Sequence, residues 1–327
     1  MVINTVGSFA LIWLLLWCAL TVISRVLYPL IRPALLNLHP RHGVDFLLIW
    51  WAAPALLSLI ACLMLFSPMV ESSLITPHCH GVCEQHVPVS DQSIVAWAGL
   101  LLASALVGGL LMHFLKNLVK GAAIRRQLSV LASRHHGYSF LPSDEPLVFT
   151  LGWWRPEVFV SKGLLGACSA TQLAVILDHE SAHESRKDNL LLLLGHVFVL
   201  LIPPYWRKQV TSDLHVLCEQ ACDFEAADKH NPILVAETLV HVGRLLRNSV
   251  SPVGSMAFDG TDLTARVNAL LHKKERYKLR TWQLVLITAV LCSALTVSLN
   301  PLHHGAEHLI ALLDAGKPYF FPQDADR

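Results

Sequence analysis

Charge is what this sequence has least of. Asp, Glu, Lys and Arg make up only 15% of its 327 residues, where soluble domains carry roughly a quarter. The formal net charge is +1 and the pI about 7.7, so no long-range field draws polyanions, and direct nucleic-acid binding is not expected. The eight cysteines form no pair of C-x-x-C knuckles, and Cys18, Cys62 and Cys292 lie in apolar runs, which argues against a zinc ribbon and a disulfide scaffold. Internal repeats and low-complexity tracts are absent, and residues 71–93 contain no Lys or Arg at all.

What the sequence does have is apolar length. Hydrophobic residues make up 54% and the mean hydropathy is +0.49. Runs at about 8–24, 46–70, 94–115 and 281–300 each suit a hydrocarbon core, which takes about 20 helical residues. Four transmembrane helices in a mainly α membrane protein are therefore expected. The first run lacks a basic leader, and Arg25 follows it, so an uncleaved helix is expected rather than a signal peptide. The runs hold no ionisable group except His113 near an end, which argues against a transporter.

Basic residues fix the expected orientation, because positive flanks stay cytoplasmic. Arg25, Arg32 and Arg41 follow the first run; Lys116, Lys120, Arg125 and Arg126 follow the third; Lys273, Lys274, Arg276, Lys278 and Arg280 precede the fourth. Both termini then face outward. The chain divides into a membrane region at 1–115, a cytoplasmic domain at 116–280, a fourth span at 281–300 and a short extracytoplasmic tail at 301–327.

Chemistry is sought in residues 116–280. Residues 148–161 are rich in β-branched and aromatic side chains and are broken by Gly152 and Pro156, which predicts a strand pair turning near residues 153–156. Ser169 or Thr171 caps a helix running toward His183. The apolar run 189–202 is too short to span. It reads as a buried helix, or as a membrane-dipping segment with Tyr205 and Trp206 at the headgroups. Helices are expected near 211–230, 235–248 and 261–274.

Residues 178–183 read Asp-His-Glu-Ser-Ala-His. On a helix, residues four apart share a face, so His179 and His183 can reach one zinc ion, with Glu180 beside its open position as general base. Chance can produce such a pattern in a chain with 18 histidines. A third ligand decides, since catalytic zinc takes three protein ligands. Glu219 suits that role, and Asp223, on the same helical face, can orient a ligating imidazole. Asp188 reads as a structural or orienting carboxylate, and Cys218 and Cys222 as packed helix residues. His196 reads as a core histidine. Tyr205, His215, His230, His241 and Arg244 are each able to supply an oxyanion donor. Val148, Phe149, Thr150 and Leu151, or residues 158–160, offer an edge for a substrate strand.

Residues 146–156 (P-L-V-F-T-L-G-W-W-R-P), 179–183 with Asp188 and Asn189, 219–223 (E-Q-A-C-D) and 266–271 (R-V-N-A-L-L) resemble the BlaR/MecR-type antirepressor peptidases in order and spacing. The resemblance extends over nearly the whole chain. It implies a cytoplasmic α+β, gluzincin-like zinc peptidase domain between the third and fourth spans, in a bacterial inner membrane. It also implies one catalytic Zn2+, Glu219 as third ligand, and cleavage of a BlaI/MecI-like repressor or of the chain itself. Penicillin-sensing members carry a large extracellular domain where only 301–327 follows here, so a β-lactam sensor is not expected.

Two outward segments carry soft-metal donors: His78, Cys79, His80, Cys83 and His86 in one, His303, His304 and His308 in the other. They read as a metal sensor, as a local disulfide between Cys79 and Cys83, or as ordinary loop histidines. Two other classes compete with the antirepressor peptidase. One is a quality-control or prenyl-processing membrane metallopeptidase. The other is a non-enzymatic receptor with structural zinc, against which Glu180 stands, since a closed site has no use for a base.

Overall fold

The computed structural model describes residues 2–67, 87–135, 137–247, 260–271 and 281–314. The segment holding His78, Cys79, His80, Cys83 and His86 lies outside them. The order is α1 (Val2–Leu36), α2 (Pro40–Leu65), α3 (Ser93–Leu131), β1 (Ser133–His135), β2 (Tyr138–Leu141), β3 (Val148–Leu151), β4 (Glu157–Ser161), α4 (Lys162–Ala167), α5 (Ala170–Arg186), α6 (Asp188–Val199), α7 (Pro204–Lys229), α8 (Pro232–Arg247), α9 (Gly260–Leu271) and α10 (Thr281–Leu313). The protein is mainly helical with one small sheet. Among the described residues α1, α2 and α3 are long and apolar enough to cross a membrane, which suggests a membrane protein. The fourth expected span lies in α10, where several side chains fall outside the described residues.

The chain forms two compact units, both discontinuous in sequence. The expected boundaries at 115 and 300 fall inside α3 and α10, which continue as unbroken helices. The first unit takes residues 1–28, 52–110 and 279–327. Its core joins Ile12, Cys62, Ala306 and Ile310, flanked by Phe9, Trp13 and Phe66. Gly7 lets α1 and α3 touch backbone to backbone, since a Cβ there would lie 2.4 Å from Ala96. Small residues allow such close approach between apolar helices. Asp314 accepts from the Ser90 hydroxyl and from the Asp91 backbone N–H at 3.1 Å. His303 is fully buried, with Nε2 3.1 Å from Glu307 Oε1.

The second unit takes residues 29–51 and 111–278. Its sheet has the order β1-β2-β4-β3. β3 and β4 are the antiparallel pair expected from sequence, with Val148 opposite Val160 and Leu151 opposite Glu157. Gly152, at φ +124°, occupies a conformation closed to other residues at their turn. β2 adds to β4 in parallel and β1 pairs with β2, two short strands that the sequence pattern does not announce. Val158, Val160, Leu164 and Ile176 seal the sheet against α4 and α5.

α5 starts where Ser169 and Gln172 form a reciprocal capping box, and ends at Lys187 in the left-handed region (φ 56°). α7 begins at Pro204, two turns before the expected start, because proline is favoured in a first turn. In α6 Asp188, Leu193, Gly195 and Val199 are buried and most other positions are half-buried, and Gly195 faces Leu214, Trp51 and Leu48. His196, read as a core residue, is instead exposed, and its Nδ1 bonds Leu192 O at 2.8 Å. The turn that brings it to the surface is set by Gly195, whose face takes the α7 contact. Arg32 clamps Asp213 with two 2.7 Å bonds.

Ser161 ties the end of β4 to the loop before β3 and to α4. Its hydroxyl is fully buried, accepts from Leu147 N at 2.8 Å and Leu164 N at 3.2 Å, and donates to Glu145 O at 2.6 Å. Ser161→Ala leaves Leu147 N without a partner and removes the α4 cap, so a loss of about 2 kcal/mol is expected. A lowered thermal midpoint of the purified chain, with β content retained by circular dichroism, is the readout.

Candidate metal centre

Two helices and one strand build the site. α5 carries His179, Glu180 and His183; α7 carries Glu219 and Asp223; β3 closes one side with Thr150. The helical period puts both imidazoles on the α5 face that packs on α7. The two Nε2 atoms lie 3.2 Å apart, and Glu219 Oε2 and Oε1 lie 3.5 Å from His179 Nε2 and 3.4 Å from His183 Nε2. A tetrahedral zinc with bonds of about 2.0–2.1 Å requires neighbouring ligand atoms about 3.3–3.4 Å apart. The two imidazole nitrogens stand at about that separation, each faces a different oxygen of Glu219 at a similar distance, one ligand atom from each of the three residues lies within 4.8 Å of the others, and these residue types fit that metal.

Each imidazole is held from behind. His179 Nδ1 lies 3.0 Å from Asp223 Oδ1, and His183 Nδ1 lies 2.8 Å from Asp188 Oδ2. Carboxylates at Nδ1 select the tautomer that turns Nε2 toward a metal. Asp188 also accepts from Arg186 Nε at 3.0 Å and from the Cys222 thiol at 3.4 Å. Burial pushes the Cys222 thiol up to about 12, so it donates as a neutral group. His183, Asp188 and Cys222 are also close enough to share an ion, but their polar atoms already bond one another.

Arg266 of α9 is the hub behind the carboxylates. It is 4% exposed, gives Asp223 two bonds of 2.8 and 2.7 Å, and lies 2.8 Å from Glu219 Oε2. Burial alone would raise both carboxyl groups; Arg266, aided by the histidines, instead holds Asp223 below and Glu219 well below the usual carboxylate range. Burial likewise opposes charge on the imidazoles, yet Asp223 and Glu219 raise His179, and Glu219 and Asp188 raise His183 further. The sequence pointed to Arg266 only through the motif at 266–271; a lone arginine between apolar residues of a short helix was the physical signal.

Glu180 is 8% exposed, and its Oε2 accepts from Thr150 Oγ1 at 2.7 Å. Thr150, expected to serve a substrate strand through its backbone, thus also holds the expected base. Of the five proposed oxyanion donors, His215 lies close enough to Glu219 and His183 to be influenced by their charges. It sits one turn before Glu219; burial, with His196 beside it, lowers it to about 4, and its buried Nε2 has no hydrogen-bond partner among the described residues. The others lie elsewhere: His230 bonds Asp178 at 2.6 Å, His241 bonds Ala167 O at 2.9 Å, and Tyr205 and Arg244 are exposed.

Residues 114–236 match the model of peptidase family M48. The match supports a zinc metallopeptidase, and with the three apolar helices it indicates a membrane-associated one. His179, Glu180, His183, Glu219 and Asp223 all fall inside the matched residues, and Arg266 lies beyond them. No curated protein and no solved structure matches the chain.

Replacing Arg266 by Met leaves Asp223 buried, and Glu219 half-buried, without their cation. A destabilisation of about 3–5 kcal/mol is expected, the usual cost of breaking a buried pair from one side. Thermal denaturation of the zinc-free protein checks it, since bound metal would mask part of the loss.

Proposed function

We propose that this protein is an integral membrane zinc endopeptidase that cuts a cytoplasmic transcriptional repressor, itself, or both, to relay a signal. The observation that carries the peptidase reading is the convergence of His179 Nε2 and His183 Nε2, 3.2 Å apart, on the Glu219 carboxylate, whose Oε2 lies 3.5 Å from the first and Oε1 3.4 Å from the second, with Glu180 next to His179 in the chain. The substrate class rests on the resemblance of residues 146–156, 179–189, 219–223 and 266–271 to antirepressor peptidases. The basic residues in the last third of α1, at the start of α2 and in the second half of α3 support a cytoplasmic peptidase domain, in a bacterial inner membrane with both termini outside.

In this reading His179, His183 and Glu219 hold one zinc ion, which supplies a Lewis acid and brings water into the range where a carboxylate can deprotonate it. Asp223 and Asp188 keep both imidazoles in register. Glu180, steadied by the Thr150 hydroxyl, takes a proton from water and returns it to the leaving amine nitrogen. His215 is the donor assigned to the developing oxyanion, being neutral near pH 7 and one turn from Glu219. The substrate lies along β3, beside Val148, Phe149, Thr150 and Leu151, as an added strand.

Glu180→Gln keeps the ligands and removes the base. One zinc per chain is expected by elemental analysis, while new protein N-termini in cells, whether from a repressor or from this chain, disappear. Matching N-terminal profiles for native and variant proteins under every inducer would refute catalysis and favour a receptor with structural zinc.

Zinc affinity should also depend on pH in one direction. The neighbouring carboxylates raise both histidines above the ordinary imidazole value of about 6.5. Zinc must displace those protons, so affinity is full above the raised values and falls as pH drops through them. Competition with a chromophoric chelator between pH 6 and pH 9 measures it.

A further inference from the structure

β3 is the last strand of its sheet, and its register shows which backbone groups face the free edge. Leu147 and Ser161 form a hydrogen-bonded pair, with Ser161 N donating to Leu147 O at 3.0 Å and Leu147 N donating to Ser161 Oγ at 2.8 Å. Antiparallel pairs alternate between hydrogen-bonded and non-bonded. Phe149 and Leu151 therefore turn toward β4, and Val148 and Thr150 turn away from it. Asn189 agrees with this phase: its Nδ2 donates to Thr150 O at 2.8 Å and to Gly152 O at 3.3 Å. Among the described residues, the Val148 N–H and C=O and the Thr150 N–H carry no such bond.

The edge open to an added strand is thus short. It offers both groups of Val148 and only the donor of Thr150, and it ends where the Asn189 carboxamide covers the next two outward carbonyls. The same Thr150 donates its hydroxyl to Glu180. The point where the ladder stops is therefore fixed to the base.

We propose that Asn189 is a positioning residue that terminates the substrate ladder at Thr150 and so selects which peptide bond is presented to Glu180. The proposal rests on the reading of β3 as the substrate edge. With Asn189 in place, an extended peptide pairs with Val148 and Thr150 N–H in one register. Without it, the Thr150 and Gly152 carbonyls become acceptors, and the peptide can slide by two residues, the repeat that keeps its side chains on the same faces.

The test uses the full-length zinc-loaded protein in lipid nanodiscs with β-casein, a disordered protein, as probe. Cleavage positions are mapped by mass spectrometry for the native chain, Asn189→Ala, Val148→Pro and Glu180→Gln. Asn189→Ala is expected to retain one zinc per chain, to lose about tenfold in kcat/KM, and to add cleavage sites two residues from the native ones. Val148→Pro removes the edge donor where proline is tolerated, and is expected to raise KM at least tenfold. Native positions in native proportions from Asn189→Ala, whatever the rate, would overturn the positioning role and leave a structural clasp. If Val148→Pro leaves KM unchanged while Asn189→Ala also leaves the sites unchanged, the edge reading itself is wrong. No native cleavage above that of Glu180→Gln sinks both.

Discussion

The pairing of Arg266 with Asp223 and Glu219 is the constraint on which the site depends. Two carboxylates stand one helical turn apart on α7, Asp223 buried and Glu219 half-buried, and each faces a histidine on α5. Left alone, such acids would take up protons, because burial penalises their charged forms. A single guanidinium, itself buried, keeps both ionised. The two carboxylates then face the imidazoles, with Asp223 behind His179 and Glu219 in front of both. The arginine comes from α9, so the geometry of a site on α5 and α7 is completed by a helix much later in the chain.

The rest of the second unit supports that arrangement. The sheet is small, but it places Thr150 against Glu180. Ser161 fastens the loop before β3 and the start of α4 through one hydroxyl. α5 enters through a capping box and leaves through a left-handed residue, which fixes both the phase and the length of the metal-facing helix. The positions of His179, His183 and Glu180 and of strand β3 are thereby properties of one packed body.

The legible parts of the sequence were those with short-range periodicity. Positions 179, 180 and 183, and 219 and 223, follow from helical spacing, and β3–β4 follows from alternation broken at Gly152. β1 and β2 escaped because three- and four-residue strands carry too little pattern. The start of α7 was misplaced because Pro203-Pro204 reads as a stop, although the second proline serves equally well as a first-turn residue. His196 was assigned to the core from the composition of its neighbours, yet one helical step separates a buried glycine from an exposed imidazole. Asn189 was invisible as a functional residue, since its role depends on the edge phase of a strand 39 positions earlier.

Asp188 and Asn189 are adjacent, yet they serve opposite sides of the centre: one braces His183, the other clasps β3. Both hang on the left-handed step at Lys187, which works as a hinge pin of fixed length. One extra residue in that step would swing the start of α6 by about 100°, the turn per helical residue. Both braces would then detach together. A displacement of the start of α6 would therefore strain the His183 contact and the β3 contact together.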